Sequence, residues 1–307
     1  MIIPNDKTFA FTILDDTDNA TLKNVEPVYE FLYELGLRTT KSLWVYPPRD
    51  NFFGSETTCD KLYLEFLKRL KSRGFELSLH SVGSGDFRSQ EIRNGFEEFK
   101  RLFGDYPNVH ANHSRNPDNI YFDPKLRFAP PLSWAMQFFN ILRNRRTQYA
   151  GEDERSDFFW GDLHKEHIKY SRSRTFNNVI TSEIDKYMPY RKKSLMKYSN
   201  YWFSSSDGHT VQEFNDLISR ENVDRLAESG GVSIIYTHFA EGFCRNGKLD
   251  KTFKKNLEYL ASLDGYFMPV SEVLDLMPPR DLIWNEEFYL DCMWLFDRLN
   301  KRIKYGR

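Results

Sequence analysis

Apolar runs alternate with helix-patterned segments through the first third of the chain. Residues 8–14 form a strand-like run. Residues 24–35 then place Val25, Val28, Tyr29, Leu32 and Leu35 on one helical face, and Gly36 ends the segment. Residues 39–45 predict a second strand. Residues 58–71, with Leu62, Phe66, Leu67 and Leu70, predict a second helix that ends at Gly74. A third strand follows at 75–79. Ser89 caps a third helix carrying Ile92, Phe96, Phe99 and Leu102, and 106–111 predicts a fourth strand.

Residues 120–200 read as an irregular, charged insertion with one helix at 133–145. Strands are expected again at 201–204, 232–236 and 266–268. Helices are expected at 221–228, 251–263 and 286–301. Repeated strand–helix units imply parallel strands with right-handed crossovers. That means a doubly wound sheet or a barrel, and the polar strand ends favour the barrel. The expectation is an α/β fold with residues 1–307 as a single barrel domain carrying the 120–200 insertion.

Each strand runs into a polar cluster: DDTD, PPRD, HSVGSGD, NHSRN, SSDGH and THF in turn. In parallel α/β folds the C-terminal strand ends share one rim, where active sites are built. His80, His110, His113, His209 and His238 all fall in or beside these clusters.

Composition narrows the function classes. The chain has 307 residues, 40% apolar and 28% charged, with a net charge of −1, so nucleic acid is not an expected partner. Aromatic content is 16%, which fits a Phe-rich core and equally supplies rings to line a sugar cleft. Cys59, Cys244 and Cys292 are too dispersed for a disulfide framework or a zinc knuckle. The opening MIIPNDKTFAF has no signal-peptide pattern, and no apolar run reaches the roughly 20 residues of a membrane span. A cytoplasmic location is expected.

Asp15, Asp16 and Asp18 crowd three carboxylates at the end of the first strand. A helix N-cap is one reading of Asp16 or Asp18. The other is a cation site. A buried carboxylate pair needs a cation or a proton, and histidines on neighbouring strand ends favour the cation. Two nitrogens and a carboxylate with an open position make a catalytic zinc set, and a second carboxylate can serve as base. The turn at the strand end is expected to bring both Asp15 and Asp16 to the site.

These residues resemble the polysaccharide deacetylases of carbohydrate esterase family four. Leu14-Asp15-Asp16 matches the opening Asp-Asp motif, RGFELSLHS (73–81) the first half of the His-Ser/Thr-x-x-His motif, and IIYTHF (234–239) the late histidine strand. The resemblance covers roughly residues 8–120 and 200–277. It implies a distorted parallel (β/α) barrel. It also implies Asp15 as base, Asp16 and His80 as metal ligands and His238 as general acid. Ser84 stands where the motif's second histidine falls, and HANHSRN replaces the family's Arg-Pro segment. His113 is the first choice for the relocated ligand, with His110 and Asn112 as alternatives. Asp18, His110, Asn112, Asp207 and His209 are the supporting or substrate-binding candidates.

The implied activity is metal-dependent hydrolysis of a C–N amide bond. It would remove an acyl group from a sugar or glycan precursor, with zinc as the expected divalent cation and polysaccharide biosynthesis as the setting. A metal-independent glycoside hydrolase using Asp15 or Asp16, and an inactive glycan-binding barrel, are the alternatives. His164 and His167 read as a solvated helical pair. The Trp134–Phe138–Phe139–Leu142 stripe beside Arg143, Arg145 and Arg146 reads as packing on the barrel, with peripheral contact to an anionic membrane as the other option.

Overall fold

Eight strands carry the architecture in the computed structural model, which describes residues 3–4, 6–142 and 149–306. They are β1 (Phe9–Asp15), β2 (Thr40–Leu43), β3 (Glu76–Leu79), β4 (Val109–His110), β5 (Tyr170–Phe176), β6 (Tyr190–Arg191), β7 (Tyr201–Asp207) and β8 (Val232–Thr237). All except β6 form a closed parallel barrel in the order β1-β2-β3-β4-β5-β7-β8, with β8 pairing back to β1. β6 lies outside, antiparallel to β7.

Helices α1 (Leu22–Glu34), α2 (Lys61–Ser72) and α3 (Ser89–Phe103) connect the first four strands. Each buries the apolar face expected from its periodicity, for example Val25, Val28, Tyr29 and Leu32 of α1. Tyr29 anchors this layer, with edge contacts to Phe66, Phe75 and Phe239. Gly74, at φ +85°, turns the chain from α2 into β3 in a conformation that a side chain would strain. Helices α4 (Pro124–Arg127), α5 (Leu132–Leu142) and α6 (Gly161–His167) precede β5, and the helix Trp284–Tyr305 closes the chain.

The pleat divides the strand residues between two environments. Asp15 is paired in register with Lys41 and with Thr237. Leu43 is paired with Leu79, Leu79 with His110, and His110 with Ser171. Residues in register share a face, and residues two apart along a strand share a face. This set therefore turns outward, toward the helices. The alternate positions, including Tyr236 and Arg172, turn toward the barrel axis.

Several expectations are corrected. Residues 120–200 are not wholly irregular, because β5 lies within them and closes the barrel between β4 and β7. The strand expected at 266–268 is a two-residue strand, Gly265–Tyr266, beside the start of β1 and outside the barrel ring. Helix α5 does not bury its apolar stripe: Trp134, Phe138, Phe139 and Leu142 are all more than half exposed. Residues 143–145 of the expected helix, and with them Arg143, Arg145 and Arg146 of the basic cluster, lie outside the described residues. No described helix is long and apolar enough to cross a membrane.

Candidate active site

The C-terminal rim of the barrel opens into a cleft of about 320 Å³. Asp16 follows β1, and its backbone N–H donates to the Thr237 carbonyl at 2.8 Å, so the ladder continues one residue past the strand. The pleat therefore still governs the Asp-Asp pair, and the two side chains diverge.

Asp16 turns into the cleft. Its Oδ2 lies 3.2 Å from His80 Nε2 and 3.4 Å from His238 Nε2, and it accepts a hydrogen bond from the Tyr236 hydroxyl. Asp16 Oδ1 accepts from the Asp18 backbone N–H at 3.4 Å. Burial opposes ionisation of Asp16. The imidazoles of His80 and His238, when protonated, more than offset it, and the carboxyl then lies far below the usual carboxylate range.

Asp15 turns the other way, and the expected base is absent from the cleft lining. Its Oδ2 lies 2.9 Å from Lys41 Nζ and accepts from the Tyr29 hydroxyl at 3.0 Å. Its Oδ1 accepts from the Phe239 N–H at 2.8 Å. Asp15 and Lys41 are both fully buried. Burial depresses the Lys41 ammonium, but Asp15 beside it leaves it above its ordinary value.

Asp18, His80 and His113 bring ligand atoms close enough to share one cation, and Asp16, Asp18 and His238 form a second, overlapping group. His113 Nε2 is 3.5 Å from Asp18 Oδ1, and His80 Nε2 is 3.8 Å from the same oxygen. His80 Nδ1 is 2.9 Å from the Ala111 carbonyl, which can only accept. That bond makes Nδ1 the protonated nitrogen and turns the Nε2 lone pair toward Asp16 and Asp18. Burial pushes the His80 imidazole down to about 4, so at neutral pH a lone pair faces two carboxylates. Asp18 Oδ1 is buried without a hydrogen-bond partner. The donor set therefore fits a divalent cation of the zinc type.

Ser84, at the motif position expected to hold a histidine, lies beside His113. The Ser84 hydroxyl donates to Asp50 at 2.8 Å and lies 3.5 Å from His113 Nε2. The His113 ring, held edge-on between Trp44 and Phe53, thus reaches the position beside the small residue at 84.

The remaining candidates separate. His110 turns outward and packs edge-on against Trp160 and His164, which removes it from the cleft. Asn112 lines the cleft, but its amide is committed to both backbone groups of Ile120. Asp207 lines the cleft and is tied to Lys301 at 2.6 Å. The His209 ring centroid lies 3.9 Å from that of His238. Neither Asp16 nor Asp18 caps α1, because the Asn24 side chain accepts from the Thr21 N–H at its start. His164 is not solvated: its ring nitrogens lie against the Tyr198 carbonyl and, at 2.8 Å, the Ser171 hydroxyl.

Sequence reasoning passed over Tyr236, Arg172, Arg127, Arg298 and Trp294, all in the cleft wall. Tyr236 carried a signal. It stands two residues before His238 in a strand, hence on the same face.

No protein-family model matches the sequence, and no curated protein matches it. Solved structures do. A protein assigned as a polysaccharide deacetylase, from Mycobacterium smegmatis, is 11% identical at a TM-score of 0.52, over 92% of this chain and 96% of that one. Puue allantoinase is 10% identical at 0.52, over 89% and 91%. A GH57-type branching enzyme from Pyrococcus horikoshii is 11% identical at 0.50, over 90% and 72%. The chain thus has the distorted (β/α) barrel fold found in the polysaccharide deacetylase structure.

Proposed function

We propose that this chain is a metal-dependent hydrolase that removes an acyl group from an amino sugar or glycan precursor. The observation that carries the reading is the convergence of Asp18, His80 and His113 on one point, with Asp16 and His238 beside them. Asp18, His80 and His113 would hold the cation, with zinc as the preferred ion for this nitrogen-rich set. When bound, the cation supplies Lewis-acid polarisation of the acyl carbonyl and acidifies water.

The protein's own groups divide the proton work. Asp16 takes the place first expected for Asp15 and accepts the proton of the attacking water. The Tyr236 hydroxyl holds the Asp16 carboxylate in position. His238 delivers a proton to the departing amine nitrogen, and Asp16 beside it keeps the imidazole above its ordinary value despite burial. Phe53, Phe122 and Trp294 supply apolar faces for a sugar ring. A cytoplasmic precursor of a polysaccharide is the substrate in this reading, with the barrel and residues 120–200 acting as one domain.

A metal-independent glycoside hydrolase fits less well. Such an enzyme needs a second working carboxylate; Asp207 is engaged by Lys301, Glu241 accepts from Asn19, and Asp18 faces His80 and His113. An inactive glycan-binding barrel has no use for the Asp16–His238 pair.

Acetate release from N-acetylated amino sugars by the zinc-loaded protein tests the proposal. Asp16→Asn should slow release by about 100-fold or more, the usual scale for a general base. Undiminished release by Asp16→Asn, or by protein stripped with chelator, overturns it.

A further inference from the structure

Cations buried elsewhere in this protein have carboxylate partners. Arg174 pairs with Asp291, Lys192 with Glu287 at 2.6 Å, Lys301 with Asp207 and Lys41 with Asp15. The cleft wall holds three more guanidiniums, Arg127 and Arg172 half-buried and Arg298 exposed. Among the described residues, Arg127, Arg172 and Arg298 form no ion pair, although all three line the same cleft.

Each lies near an aromatic ring. Arg172 lies 3.7 Å over the Tyr236 ring, and its Nε is buried without a hydrogen-bond partner. Trp294 is flanked by Arg127 at 5.4 Å and Arg298 at 5.7 Å. Arg127 makes one weak hydrogen bond, to the Ser173 carbonyl at 3.4 Å. A guanidinium drawn to an aromatic face keeps N–H groups free to donate.

Asp16, Asp18, Asp207 and Glu241 share the cleft, and among the described residues none lies within ion-pair distance of these guanidiniums, although Asp16 and Asp207 act on Arg172 at longer range. Asp16 is taken up by His80, His238 and Tyr236, and Asp207 by Lys301. Burial, together with the like charges of Arg174 and Arg172, pulls Arg127 down to about 9 despite the Asp291 carboxylate nearby.

We propose that Arg127, Arg172 and Arg298 form an oxyanion-binding subsite, and that the substrate carries a phosphate or carboxylate group on or next to the acylated sugar. Arginine forks donate paired hydrogen bonds to either group. Tyr236 touches both Arg172 and Asp16, so the anion would sit one ring away from the reacting acyl group. The identity of the sugar rests on the hydrolase reading; the anion subsite does not.

The test is calorimetric titration of the full chain, stripped of metal so that a cation cannot bind the probe. The probes are inorganic phosphate, N-acetylglucosamine 1-phosphate, N-acetylglucosaminuronate and neutral N-acetylglucosamine. At least one anionic sugar should bind about tenfold or more tighter than the neutral one, and Arg172→Gln and Arg298→Gln should each remove most of that gain. Binding should also weaken as salt is raised. Preference for the phosphate or the uronate identifies the anion. Arg298 is exposed, so its replacement tests the wall even where Arg172→Gln fails to fold. Anionic probes binding no tighter than the neutral sugar, or folded variants binding them as the wild type does, overturn the subsite. Anion binding without acetate release upholds the subsite and overturns only the hydrolase reading.

Discussion

Asp15 and Asp16 are adjacent in the chain, yet Asp15 Oδ2 lies 2.9 Å from Lys41 Nζ while Asp16 Oδ2 lies 3.2 Å from His80 Nε2. One carboxylate belongs to the layer between barrel and helices, and the other to the cleft. The strand pleat separates them, and it assigns them different work.

Lys41→Met leaves the buried Asp15 carboxyl without its cation, so that it must stay charged in the interior or take up a proton. The expected cost is about 3–5 kcal/mol, read by chemical denaturation. Asp15→Leu added to Lys41→Met should recover most of the loss, because removing both charges leaves no uncompensated ion. A double variant as unstable as the single one would deny that the pair acts as a unit.

Tyr236→Phe removes the hydroxyl that donates to Asp16. A hydrogen bond to a charged group contributes about 1.5–3 kcal/mol, so acetate release should fall by about tenfold or more. Metal content should stay unchanged. Loss of metal in this variant would place Tyr236 in the cation site instead.

His113→Ala should abolish metal retention. Restoring a histidine at the neighbouring position, in the Ser84→His/His113→Ala double variant, should return part of it. Position 84 lies close enough to His113 for an imidazole placed there to reach toward Asp18. Failure of the double variant to regain metal, while folded, would show that position 84 cannot supply the ligand.

Asp118 gives a pH signature. Burial raises its carboxyl from the ordinary 3.8 to about 7. The folded state then holds a proton that the unfolded chain releases. Its stabilising contribution is complete below about pH 4 and is lost as pH rises toward 7, by up to about 4 kcal/mol. Asp118→Asn should flatten this part of the stability curve and be the more stable protein at pH 7. Parallel curves for the two proteins between pH 4 and 7 would contradict the assignment.

Much of the barrel was legible because its outward strand faces and helix stripes are apolar. β1, β3 and β8 showed as runs, and α1 to α3 as periodic faces. β5 was hidden. YSRSRTF puts Arg172 and Arg174 at alternating positions among serines and threonines, so it leaves no apolar run. Asp16, His80, His113 and His238 were picked out by their strand-end positions, and they do meet. Asp15 and His110 were misplaced for one shared reason: the pleat was not carried through to the strand end, where it still decides which way a side chain turns. The arginine wall draws on β5, α4 and the C-terminal helix, segments distant in the chain that only the fold brings together.

Metal content of the purified chain, after zinc loading and desalting, tests the central claim most directly. About one ion per chain is expected in the wild type and in folded Asp15→Asn, and its loss in His80→Ala and Asp18→Asn. Full retention in His80→Ala and Asp18→Asn, or loss in Asp15→Asn alone, would contradict it.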